Sequence, residues 1–282
     1  MRKKEFEVIK SSGDKALFSY EKLKRSLRKS GAHPHVIDMI MEDLSEKVYD
    51  GISTRKIYKE AFNLLKRKKF RPFAARYKLK SAIAELGPSG YPFEQYVSEI
   101  FKSRGYTTKL NQLCDGMTVV HEVDAIAERE NELNLIECKY HKSQSYSCDI
   151  KVPLYIHSRF NDISNKYSSN KKNPRKFFTG WIVTNTRFTL DAIKYSNYYG
   201  LKLVAWNYPE KGSLRDLTDQ YSLYPITTLT TLNKMQKEIL LSKKIVLCMD
   251  IWNNPDILNK IGLDESKSLE ILDECRMLCG ID

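Results

Sequence analysis

Two short runs hold the residues best suited to chemistry: His121-Glu122-Val123-Asp124 and Glu137-Cys138-Lys139-Tyr140-His141. Side chains alternate between the faces of an extended strand, so residues two apart point the same way. Glu137 and Lys139 then share one face, as do Glu122 and Asp124. If the two strands pair, Asp124, Glu137 and Lys139 converge. Two carboxylates can hold one or two Mg²⁺ or Mn²⁺ ions, which neutralise a phosphate and lower the pKa of an attacking water. A neighbouring ammonium can position that water or stabilise the charge that develops. The set suits phosphodiester hydrolysis. Ionised groups in apolar strands are costly unless they pair or coordinate metal. A bare Glu-x-Lys also occurs on the solvated face of an edge strand, however, and the residues alone leave both readings open.

These runs must be positioned by the segment around them, 92–210. Its pattern predicts a helix over 93–103, stopped at Arg104-Gly105, then strands over 118–127 and 133–140 separated by the polar turn Arg129-Glu130-Asn131-Glu132. A strand over 180–184, a helix over 189–199 and a strand over 201–206 follow. Strand–helix–strand order with short connections indicates an α/β sheet core.

An aspartate on one strand, a turn, and Glu-x-Lys on the next, behind a helix containing Phe93-Glu94-Gln95-Tyr96, resembles the PD-(D/E)xK nuclease superfamily, and within it the Mrr-like restriction endonucleases. The resemblance covers roughly residues 93 to 206. It implies a restriction-endonuclease-like α/β core, a mixed sheet flanked by helices in helix–three-strand–helix–strand order. It further implies Asp124 and Glu137 as ligands of Mg²⁺ or Mn²⁺, Lys139 as the catalytic lysine and Glu94 as an auxiliary acid. Val123 stands where some relatives have proline. His141, two residues beyond Lys139, is a candidate helper on the same face; His121 falls on the face opposite Asp124. Arg159 and the basic run Asn170-Lys171-Lys172-Asn173-Pro174-Arg175-Lys176 are candidate phosphate contacts, or equally a surface ion pair and a solvated turn.

The preceding segment, 1–87, reads as a small hairpin followed by four short amphipathic helices. Two glycines and two prolines in Gly87-Pro88-Ser89-Gly90-Tyr91-Pro92 mark the strongest break in the chain. Val8-Ile9-Lys10, the turn at Gly13 and Phe18-Ser19-Tyr20-Glu21-Lys22-Leu23 resemble the ATP-cone, an α+β nucleotide-sensing domain. That resemblance implies ATP or dATP as an allosteric ligand, with Val8, Ile9, Lys10 and Lys22 as contacts. Ser11 stands where the family usually has arginine. No G-x-x-x-x-G-K-[ST] segment is present, which argues against a P-loop ATPase.

The last segment, 214–282, reads as helical, and its Ile261-Gly262-Leu263 turn resembles a helix–hairpin–helix; a plain helical bundle fits as well. Six scattered cysteines show no zinc-knuckle spacing, and no apolar run approaches the roughly 20 residues that span a bilayer. A cytosolic protein with no membrane partner is expected. The formal charge of +12 favours a polyanionic partner. Together these features predict a metal-dependent DNA endonuclease regulated by adenine nucleotide, in defence or DNA maintenance, with self-association through the ATP-cone. The alternatives are a non-catalytic, nucleotide-responsive DNA-binding regulator and an accessory protein of ribonucleotide reductase.

Overall fold

A computed structural model describes residues 6–10, 13–66, 70–87, 89–169 and 177–281. They form two compact units. The first contains residues up to Leu79, Thr228–Lys237 and residues from Ile251; the second contains Lys80–Thr227 and Glu238–Asp250.

The first unit opens with β1 (Glu7–Ile9), β2 (Lys15–Leu17), α1 (Tyr20–Lys29), α2 (Pro34–Lys47), β3 (Ile52–Ser53) and α3 (Thr54–Leu65), and α4 (Arg71–Ile83) leads out of it. The predicted hairpin is present, and β3 joins it as a third strand, parallel to β1, in the order β2-β1-β3. Ser19 caps α1 by accepting from the Lys22 N–H, and Ser53 caps α3 in the same way. Leu23 and Leu27 of α1, Val36, Ile37 and Ile40 of α2, and Ile57, Ala61 and Leu65 of α3 close over the sheet as one core. Phe6 and Phe18 stack across the hairpin with ring centroids 4.8 Å apart.

The second unit carries the predicted candidate residues. Its elements are α5 (Tyr91–Ser103), β4 (Thr107–Asp115), β5 (Val120–Arg129), β6 (Glu132–Lys139), α6 (Lys151–Ser169), β7 (Phe177–Thr184), α7 (Leu190–Tyr199), β8 (Lys202–Val204) and α8 (Leu214–Gln220). The five strands form a mixed sheet in the order β4-β5-β6-β7-β8, antiparallel across β4, β5 and β6 and parallel across β6, β7 and β8. Ile156, Phe160 and Ile163 of α6 recur at helical spacing and pack on Leu133, Leu135, Ile182 and Leu203 of the sheet. Gly180 permits that approach, since a β-carbon there would lie 2.6 Å from the Phe160 ring.

After α8 come α9 (Lys234–Ser242), α10 (Cys248–Asn253), α11 (Asp256–Lys260) and α12 (Glu265–Cys279). The segment 214–282 is helical, but it does not stand apart as a unit: α8 lies in the second unit, α11 and α12 in the first, and the boundary runs through α9 and α10. The other boundary falls inside α4, at Leu79 and Lys80, ahead of the Gly87-to-Pro92 break. The physical reason is that α12 is tied by its side chains and main chain to α4. Arg71 pairs with Glu270 at 2.7 Å, and Arg76 donates to the Leu278 carbonyl at 3.2 Å. The buried Glu274 carboxylate accepts from both the N–H and the hydroxyl of Thr230 and of Thr231.

Candidate active site

Backbone pairing between β5 and β6 runs from Arg129–Glu132 to Ala125–Ile136 and stops there. On its other side β6 stays paired with β7 through Lys139–Thr184. The sheet therefore forks just where Asp124 and Glu137 stand opposite each other. At the fork the Cys138 N–H donates to Asp124 Oδ2 at 2.7 Å instead of to a carbonyl of β5. The i, i+2 relation on β6 brings the Lys139 ammonium onto Glu137 Oε1. Asp124, Glu137 and Lys139 thus meet as strand alternation predicts.

From α6, Arg159 donates to Glu137 Oε2 at 3.1 Å through Nη1 and to the Glu122 carbonyl through Nη2. The guanidinium also lies 5.4 Å from the Tyr155 ring centroid. Glu137 is only 4% exposed, and each of its oxygens faces a cation. Among the described residues no hydrogen bond reaches the second oxygen of Asp124.

Negative charge accumulates here faster than the two cations offset it. Burial pushes Asp124 up to about 6, with the neighbouring Glu137 adding to the rise and the Cys138 N–H opposing it. Glu94, on α5, is pushed up to about 7 by burial first and then by Asp124, Glu122 and Glu137. Burial raises the Cys138 thiol well above its ordinary value, so it is not a nucleophile.

The donor set suits a hard divalent cation. Two carboxylates stand opposite each other across the fork, and among the described residues no hydrogen bond takes the second oxygen of Asp124. Mg²⁺ commonly keeps several waters and takes one or two protein carboxylates. No grouping of three or more His, Cys, Asp or Glu side chains fit to cage a metal occurs among the described residues, so a closed structural site of the zinc type is not what the fork offers.

Other candidates lie elsewhere. The His141 ring stacks on Tyr146 at 3.9 Å between centroids, and its Nε2 is 3.3 Å from Cys148 Sγ. Among the described residues no hydrogen bond or ion pair joins it to the carboxylates, though Lys139 lies within electrostatic reach; β6 ends at Lys139, and strand alternation ends with it. His121 Nε2 lies 2.8 Å from Asp162 Oδ2 on α6. The same carboxylate accepts from the Thr118 hydroxyl at 2.9 Å and holds the β4–β5 turn. Of the predicted nucleotide contacts, Val8 is buried in the first core, while Ile9, Lys10 and Lys22 are accessible. Ser11 and the basic run 170–176 lie outside the described residues.

Sequence reading left two features of the site unseen. One is the engagement of Glu137 by Arg159, which joins residues 22 apart through the packing of α6. The other is Asn111, which adopts a left-handed φ of 50° inside β4, between the pairs Leu110–Ala125 and Gln112–Val123 and therefore opposite Asp124. Such an irregularity bends a strand locally beside a site. An asparagine in a polar strand gives no distinctive signal of it.

Fold and site together define a mixed α/β protein with an anionic cluster at a sheet fork. The chain belongs to the AF1548-like family. Residues 224–279 match the family model described as AF1548-like, C-terminal. An uncharacterized protein of Archaeoglobus fulgidus is 33% identical over 188 residues, covering 65% of this chain and all of that protein. The crystal structure of AF1548, a protein of unknown function, superposes with a TM-score of 0.55 at 32% identity, over 68% of this chain and 99% of that one. MspJI restriction endonuclease in complex with a 27-mer oligonucleotide is 16% identical with a TM-score of 0.31, over 62% of this chain and 42% of that one, and a likeness of that size carries no argument. No helix among the described residues is long and apolar enough to cross a membrane.

Proposed function

We propose that this protein is a metal-dependent endodeoxyribonuclease whose activity responds to adenine nucleotide. The observation that carries the reading is the meeting of Asp124, Glu137 and Lys139 where β5 and β6 separate. Asp124 and Glu137 would hold Mg²⁺ or Mn²⁺; when bound, the metal neutralises the phosphate and lowers the pKa of its water. Lys139 orients that water or the phosphate oxygens, and Glu94 holds a proton near neutrality within electrostatic reach of both acids. Arg159 exchanges Glu137 for a phosphate oxygen when substrate arrives, as a planar two-donor group does well.

The first unit is proposed as the ATP-cone sensor. Lys10 and Lys22 contact the triphosphate of ATP or dATP and Ile9 contributes its accessible side chain, while Val8, buried and paired on both sides in the central strand, supports them from beneath. The test is cleavage of supercoiled and linear DNA with Mg²⁺ or Mn²⁺, with and without ATP or dATP. Metal-dependent cleavage that nucleotide modulates supports the reading; its absence under every condition sinks it.

A second reading is favoured by one observation: both oxygens of Glu137 are already occupied by cations. A fork locked by Lys139 and Arg159 fits a nucleotide-responsive DNA-binding regulator without catalysis. It predicts DNA binding with no metal requirement and no cleavage by any form.

A further inference from the structure

The positive charge of this protein is concentrated in one stretch of sequence. Residues 1–79 hold 21 Lys and Arg against 10 Asp and Glu, whereas the other 203 residues hold 26 against 25. Nearly all of the net +12 therefore belongs to the N-terminal segment. The remainder, which contains the acidic fork, is close to neutral and has little long-range attraction for a polyanion.

Within the segment the charges are segregated. Four of the ten acids, Asp38, Glu42, Asp43 and Glu46, lie on α2. Helix α1 carries Lys22, Lys24, Arg25, Arg28 and Lys29 with Glu21 as its one acid. Leu23 and Leu27 turn inward, and Lys24 reaches Asp38 at 3.4 Å. Lys22, Arg25 and Arg28 are exposed, follow one another at three-residue spacing, and have no ion pair among the described residues. Like charges three or four apart on a helix repel and destabilise it.

Helix α12, in the same unit, resolves its charges the opposite way. Lys267 pairs with Glu270 at 2.7 Å and Arg276 with Asp273 at 3.1 Å, each at i, i+3. A face left repulsive on α1, when α12 neutralises its own, is built to receive anions from outside.

We propose that the exposed face of α1, centred on Arg25 and Arg28, docks the phosphate backbone of a nucleic acid. The N-terminal unit then supplies the sequence-independent affinity that the near-neutral remainder lacks. The nuclease reading gives this docking a purpose, but the docking stands without it. Phosphate contacts of this kind release counterions, so binding weakens steeply with salt and carries little sequence preference.

The experiment measures binding of the full chain to a labelled duplex of arbitrary sequence, in EDTA so that catalysis plays no part, between about 50 and 200 mM salt. Arg25→Glu/Arg28→Glu is compared with Lys194→Glu/Lys202→Glu, which makes the same charge change at exposed positions of the other unit. The proposal predicts roughly tenfold or greater weakening for the first variant and a log–log salt slope shallower by about 2. The second variant stays within about twofold of wild type. Circular dichroism checks the fold; should the charge reversal fail to fold, Arg25→Gln/Arg28→Gln carries the same test through its slope.

Equal losses in both variants, or no loss in the first, overturns the proposal. So does wild-type binding to phosphatidylserine vesicles but not to duplex. Loss of ATP binding in the first variant with DNA binding intact also overturns it, by assigning the face to free nucleotide.

Discussion

The Cys138 N–H donates to Asp124 Oδ2 at 2.7 Å, at the point where β5 and β6 cease to pair. A side chain takes the place of the next rung of the ladder. The bond fixes one oxygen of Asp124 at the position opposite Glu137, so the fork and the acid pair are one feature. Asp124→Ala removes both the acceptor and the charge, whereas Asp124→Asn keeps an acceptor for Cys138. The expected outcome is that Asn preserves thermal stability to within about 1 kcal/mol while Ala costs about 1–2 kcal/mol more. Equal melting temperatures would show that the bond does not hold the fork.

On the proposed reading, metal affinity follows pH in a defined direction. Asp124 is raised to about 6 and Glu94 to about 7, so both bind protons that the unfolded chain would already have lost. Their ionisation costs the folded state stability as pH rises from about 4 to 7, and a bound cation relieves that cost. Apparent Mn²⁺ affinity, measured calorimetrically, should fall roughly fourfold from about pH 7.5 to 5.5, and Asp124→Asn should flatten the profile. A profile flat in the wild type contradicts the assignment of Asp124 as a ligand.

On the proposed reading, Arg159 competes with a cation for Glu137. Arg159→Ala should therefore tighten Mn²⁺ binding several-fold while weakening DNA affinity. Loss of metal binding on that substitution would mean instead that Arg159 holds Glu137 in a ligating position.

Gly116 lies against Asp162, where an added β-carbon would sit 2.0 Å from the carboxylate. That carboxylate, held down at about 2 chiefly by the His121 contact, anchors Thr118 and Val119 of the β4–β5 turn. Gly116→Ala should lower stability by about 1–3 kcal/mol in denaturant unfolding. An unchanged midpoint would show that the turn relaxes freely.

Glu274 is buried, and its partners are the N–H groups and hydroxyls of Thr230 and Thr231. Glu274→Ala leaves those donors unsatisfied and should cost about 2–4 kcal/mol, with Glu274→Gln intermediate. A loss below about 0.5 kcal/mol would show that water replaces the carboxylate.

What the sequence revealed, and what it hid, follows from the range of each interaction. Glu137 and Lys139 are two residues apart on one strand, so their shared face follows from local geometry alone. The helices α1 to α3 announce themselves through Leu23 and Leu27, Ile37 and Ile40, and Ile57 and Leu64 at helical spacing. Strand β4 does not: Thr107-Thr108-Lys109-Leu110-Asn111-Gln112 is polar and mostly accessible, and its partner across the ladder makes it a strand. Nor does β3, two residues long and defined only by β1. The placement of α11 and α12 with the first unit depends on Arg71–Glu270 and Arg76–Leu278, contacts about two hundred residues apart that no local pattern encodes. His141 lies beyond the end of β6, so strand alternation does not fix its direction, and its ring packs on Tyr146 and Cys148.

The central claim is that the fork hydrolyses phosphodiester bonds. The most direct test is the single-turnover rate of DNA cleavage in Mg²⁺ or Mn²⁺ by wild type, Asp124→Ala and Lys139→Ala, all shown to be folded and to bind DNA in EDTA. The account predicts cleavage by wild type, its loss on chelation, and a fall of at least about a hundredfold in each variant. Cleavage that persists in both variants, or a wild type that binds DNA and cuts none with either metal, would contradict it.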